Sequence, residues 1–167
     1  MDKIIFLDFD GVLNSGDNNE VISSLSFRDD TIMRSYKPGM MFDERCVRWL
    51  QWIINETNCK IVISSSWRLH YNLKELKLLW SELNLPGEIV DYTSFCDDIL
   101  VDENGQIIRN FERGKEIQKW IDVYKPTRYC IIDDEYDMLP EQIFVQTDPE
   151  FGLTYETAKL VVEYMNR

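Results

Sequence analysis

The feature that most constrains this chain is a set of short, unbroken apolar runs: Ile4-Ile5-Phe6-Leu7, Ile61-Val62-Ile63 and Tyr129-Cys130-Ile131-Ile132. None alternates with polar residues, so each suits a strand buried on both faces. Segments of helical period separate them. Asp43 caps a helix running to about Asn55, with Val47, Leu50 and Ile54 on one face. Residues 71–84 carry Leu73, Leu76, Leu79, Trp80 and Leu83 at helical spacing and stop at Pro86-Gly87. A third helix spans about Gly114 to Tyr124, ahead of Pro126, and a fourth spans Tyr155–Tyr164, after Thr154. Ile89-Val90 and Phe144-Val145 read as further short strands, and Glu103-Asn104-Gly105 breaks Ile99–Ile108 as a hairpin turn would. Buried strands separated by helices mean an α/β fold around a mainly parallel sheet.

The 167 residues show no repeat, low-complexity tract or linker, so one domain spanning 1–167 is expected, with 14–41 as a small flap. Eighteen Lys and Arg against thirty Asp and Glu give a net charge of −12, which argues against a long-duplex nucleic-acid binder. Cys46, Cys59, Cys96 and Cys130 are far apart and without a Cys-x-x-Cys pair, so they read as reduced thiols. No window has the length of a membrane span and the amino-terminal apolar run is too short for a signal peptide, so a soluble, cytoplasmic protein is expected.

In open parallel sheets the ligand site lies at the carboxyl ends of the strands. Asp8-Phe9-Asp10-Gly11-Val12-Leu13-Asn14 follows the first run, Ser64-Ser65-Ser66-Trp67-Arg68 the second, and Asp133-Asp134-Glu135 the Tyr129–Ile132 run. Arg113-Gly114-Lys115 opens the helix before that last strand. A sharp turn at Gly11 can gather the Asp8 side chain, the Asp10 carbonyl and Asp133 or Asp134 around one hard cation, and oxygen ligands suit Mg2+. Asp8 is then a candidate carboxylate nucleophile towards phosphorus, and Asp10 a candidate general acid and base. The Ser64 hydroxyl and a cation from Arg113 or Lys115 would hold the transferring phosphoryl oxygens.

These motifs, in this order, resemble the haloacid dehalogenase (HAD) superfamily of Mg2+-dependent phosphohydrolases. Asp8-x-Asp10-Gly11 resembles its first motif, Ser64 its second, Arg113 or Lys115 its third, and Asp133-Asp134 its fourth. More narrowly, residues 10–14, 64–68 and 113–117 resemble the HAD-like domains of Swiss-army-knife RNA repair proteins, and the likeness runs from residue 3 to about residue 138. It implies a Rossmann-like three-layer sandwich, an aspartyl-phosphate on Asp8, and a metal held by Asp8, Asp10, Asp133 and Asp134. Two departures stand out. The family's third motif usually carries lysine, whereas Arg113 and Lys115 compete here, and 14–41 and 69–112 are too short for a large cap, so a minimal cap or none is expected.

Asn14, Ser65 and Arg68 are the expected substrate contacts, with surface ion pairing as the alternative for Arg68. Trp67 reads as core packing, or as a platform on which a base stacks. The expected substrate is a phosphorylated small molecule or nucleotide, placed ahead of a nucleic-acid end because −12 repels polyanions, and no membrane partner is expected. The alternatives are a non-catalytic metal- or phosphate-binding module and a metal-dependent nuclease.

Overall fold

The computed structural model describes residues 2–16, 42–95, 99–101, 107–109 and 112–167. Most of the 14–41 segment expected as a flap, and Cys96, therefore lie outside the described residues. The elements are β1 (Lys3–Leu7), α1 (Glu44–Thr57), β2 (Lys60–Ile63), a 3-10 turn (Ser66–Leu69) and α2 (Leu73–Glu82). They continue as β3 (Ile89–Tyr92), β4 (Ile99–Val101), β5 (Ile107–Arg109), α3 (Arg113–Tyr124), β6 (Arg128–Asp133), β7 (Phe144–Gln146) and α4 (Tyr155–Asn166).

Five strands form one parallel sheet in the order β3-β2-β1-β6-β7. The chain steps outward from β1 to β3 on one side and then resumes at β6 on the other. The strand order therefore reverses at β1, which is where such sheets open a crevice at their carboxyl ends. β4 and β5 pair separately as an antiparallel two-stranded sheet, and the turn expected at Glu103-Asn104-Gly105 is outside the described residues.

Strand alternation sends the β1 side chains to two cores. Ile5 and Leu7 pack with Leu50 and Ile53 of α1, Leu76 and Trp80 of α2, and Ala158, Val161 and Met165 of α4. Ile4, Phe6, Val62 and Ile131 pack on the opposite face against Ile117, Trp120 and Ile121 of α3. The result is three layers. Local signals set the helix starts: the Asp43 side chain accepts from the Arg45 amide, and Asn72 with Glu75 and Thr154 with Thr157 form reciprocal capping boxes. Helix α3 starts differently. No side chain of its own caps it, and the Arg113 and Gly114 amides donate to Asp137 in the loop after β6. A Cβ on Gly114 would lie 2.8 Å from the Leu139 nitrogen and 2.9 Å from the Asp137 oxygen, so glycine is what allows this contact. Cys46, Cys59 and Cys130 are buried and unbridged, and no described helix is long and apolar enough to cross a membrane.

Candidate active site

The register pairs Leu7 with both Ile63 and Ile132, and Ile63 with Tyr92. One residue further on stand Asp133, Asp8, Ser64 and Thr93, on four adjacent strands. Alternation turns all four towards the α3 layer. All four are buried, Asp8 at 4% exposure and the others fully. The amides of Asp8, Ser64 and Thr93 continue the sheet ladder, donating to Ile132, Leu7 and Ile63, so this polar row is held by main-chain bonds.

Asp8, Asp133 and Asp134 each offer a carboxylate oxygen, and the three oxygens lie within 4.8 Å of one another. Gly11 makes that approach possible. Its φ of +71° is open to glycine, and a Cβ there would come within 2.4 Å of the Asp134 Cγ. The Gly11 carbonyl accepts from Thr147 Oγ1 at 2.8 Å and the Asp134 carbonyl from Gln146 Nε2 at 2.8 Å, which ties both turns to the end of β7.

Of the two cations that competed in the sequence, Arg113 reaches this cluster. Its Nη1 is 3.2 Å from Asp8 Oδ2 and also pairs with Asp133 Oδ2. Lys115 is half exposed and pairs with Glu112 on its own helix turn. The helix explains the difference, because adjacent residues are about 100° apart around its axis and only Arg113 is on the sheet side.

Burial first, and then the neighbouring charge of Asp8, raise the Asp133 carboxyl to about 7. Burial likewise pushes Asp8 up, with Arg113 opposing, and burial followed by Asp8 pushes Asp134 up. Burial opposes the Arg113 charge, but Asp8 and Asp133 outweigh it and hold the guanidinium above its ordinary value. Among the described residues, three carboxyl groups cluster beside the Arg113 guanidinium, and with all three ionised they would leave an excess of two negative charges. Asp8 Oδ1 is buried without a hydrogen-bond partner. A divalent cation with oxygen preference fits that charge and that donor set.

The remaining expected contacts divide. Ser64 Oγ is fully buried and unpartnered, as is Thr93 Oγ1 one strand over, which the sequence reading did not single out. Ser65, expected on substrate, is buried and caps the 3-10 turn by accepting from the Trp67 amide. Arg68 is corrected too. Its side chain is 2% exposed, donates through Nη1 to the Ser64 and Ser65 carbonyls, and pairs through Nη2 with buried Glu116. It thus clamps the serine turn to α3 from within, and is neither a surface ion pair nor open to substrate. Asn14 is likewise buried, at 1%, and donates from Nδ2 to Asp10 Oδ1 at 2.8 Å. The Asp10 carboxylate is outside the three-oxygen cluster.

With this geometry in hand, the comparison with known proteins is decisive for family. Residues 4–158 match the model of the HAD domain in Swiss Army Knife RNA repair proteins. The chain belongs to this family. No curated protein and no solved structure matches it. The five-stranded parallel sheet and its flanking helices are the HAD fold, and the family places the chain among HAD-type hydrolases, which typically use Mg2+. In this HAD domain the acidic cluster occupies the carboxyl ends of β1 and β6, at the switch point of the sheet.

Proposed function

We propose that this HAD domain is a Mg2+-dependent phosphomonoesterase that works through an aspartyl-phosphate on Asp8. The observation that carries the reading is Asp8 itself: buried at 4%, with Oδ2 beside Arg113, Oδ1 unpartnered, and two further carboxylates within 4.8 Å. Asp8, Asp133, Asp134 and the Asp10 carbonyl would hold the ion, which supplies Lewis-acid polarisation of a phosphoryl oxygen and offsets the carboxylate charge. An Asp8 carboxylate oxygen attacks phosphorus, the bond from phosphorus to the ester oxygen breaks, and the leaving oxygen takes a proton from Asp10. Asp10 then removes a proton from water, whose oxygen attacks phosphorus. The Asp8–phosphorus bond breaks, and inorganic phosphate and free Asp8 result. Ser64 Oγ and Arg113 would donate to the phosphoryl oxygens, where transition-state charge spreads.

The substrate class is a nucleotide, a small phosphate ester or the terminal phosphate of a nucleic acid. The RNA repair context of the family supports the last, and the charge of −12 supports the smaller substrates. A phosphate-ester panel with Mg2+, including nucleotides and oligonucleotides bearing 3′- or 5′-phosphates, tests the reading. Expected are release of inorganic phosphate, a radiolabelled acid-stable phosphoenzyme, and loss of both in Asp8→Asn. Cleavage inside an oligonucleotide without a phosphoenzyme would assign a nuclease instead, and metal binding without turnover would assign a binding module.

A further inference from the structure

Asp10 is on the exposed turn after β1, where a carboxylate would ordinarily rotate freely in water. Here both of its oxygens are taken. Asn14 Nδ2 donates to Oδ1 at 2.8 Å, and the indole Nε1 of Trp67 donates to Oδ2 at 2.9 Å. Each donor is itself immobilised. Asn14 is buried, and its carbonyl accepts from the Gly11 amide at 2.9 Å, closing the turn that carries Asp10. Trp67 sits on the 3-10 turn, edge-on to Phe9 at 5.3 Å and stacked on Phe42 at 5.7 Å. Phe9, between Asp8 and Asp10 in the chain, also stacks on Trp80 of α2 at 5.8 Å. The orientation of one surface carboxylate is thus fixed by an aromatic cluster that reaches from the first motif to α2.

Packing alone would not choose tryptophan here. A phenylalanine could meet the same rings, whereas the indole N–H is a donor with no acceptor capacity and ends on the carboxylate. We propose that Trp67, together with Asn14, is a positioning residue for Asp10, and that the site is built for esters whose leaving group is an alkoxide needing a proton. An aryl phosphate departs without that help, so the orientation of Asp10 matters least for it. This rests on the phosphomonoesterase reading above. In phosphoryl transfer the Asp10 proton passes to the ester oxygen as its bond to phosphorus breaks, so a misdirected carboxyl slows alkyl esters selectively.

The test compares kcat/KM for glycerol 2-phosphate and p-nitrophenyl phosphate in wild type and Trp67→Phe, with Mg2+ affinity by calorimetry and melting temperature alongside. The alkyl-to-aryl ratio of kcat/KM should fall by about 10-fold or more, a share of what general acid catalysis supplies. Mg2+ affinity should hold within about two-fold, since the indole contacts none of the proposed ligand side chains. Asn14→Leu, close in volume and lacking the other donor, should shift the ratio the same way and covers the case in which Trp67→Phe does not fold. Equal losses on the two esters, or an unchanged ratio, would overturn the proposal and leave the phosphatase reading standing. Wild-type protein that turns over neither ester and forms no phosphoenzyme would overturn both.

Discussion

At the scale of single residues, position on one helix turn decides between two cations that look equivalent in the chain. Arg113 lies against Asp8 and Asp133, whereas Lys115 lies against Glu112. Arg113→Ala should lower kcat on the order of 10²–10³-fold, the usual cost of losing a donor that meets transition-state charge. Lys115→Ala should stay within about two-fold in the same steady-state assay. The Asp133 carboxyl carries a second consequence. Raised from 3.8 to about 7, it holds its proton more tightly in the folded than in the unfolded protein. Its favourable contribution is therefore complete below 3.8 and disappears as pH climbs through about 7. Melting curves of the metal-free protein should show stability falling across that window, less so in Asp133→Asn. Excess Mg2+ should restore stability at and above neutral pH, by binding the folded state.

At the scale of elements, the 3-10 turn and α3 are joined by a buried ion pair, Arg68 with Glu116, at 2% and 1% exposure. Removing one partner leaves a buried charge uncompensated. Glu116→Gln should thus cost about 3–5 kcal/mol in chemical denaturation. The double variant Arg68→Met with Glu116→Leu should recover most of that stability, since apolar replacements of such pairs are often neutral. Activity should not recover, because the Ser64 and Ser65 carbonyls lose the guanidinium that holds their turn. The turn after β1 is equally specified. Gly11→Ala meets both a φ of +71° and the Asp134 side chain, so Mg2+ affinity measured by calorimetry should drop by about 10-fold or more.

At the scale of the whole molecule, the net charge of −12 bears on how a substrate arrives. A phosphorylated oligonucleotide meets long-range repulsion that salt screens, whereas a small monoester meets much less. At fixed Mg2+, kcat/KM for an oligonucleotide should rise as monovalent salt increases from low to moderate levels, and that for a small ester should stay nearly flat. A fall with salt for the oligonucleotide would point to a local cationic path that overrides the net charge.

The amino-acid order alone determined the α/β class, the strands and helices, and the family, because buried parallel strands leave continuous apolar runs and the carboxylates directly follow two of them. It also put Asp8, Asp10, Ser64, Asp133 and Asp134 directly after apolar runs, since residue type and place at a strand end suffice to select those as candidates. Tertiary structure alone decided which residues share a contact: Arg113 over Lys115, Arg68 turned inward to Glu116, and Asn14 and Trp67 turned onto Asp10. Thr93 was missed because a lone buried threonine has no periodic or motif signal, and Glu116, although inside the 113–117 segment, was given no role because its partner Arg68 is 48 positions away. The physical reason is that hydrogen bonds and ion pairs act over a few ångströms between groups as distant in the chain as Thr147 and Gly11, 136 positions apart, and only the packed sheet and its helices set those distances.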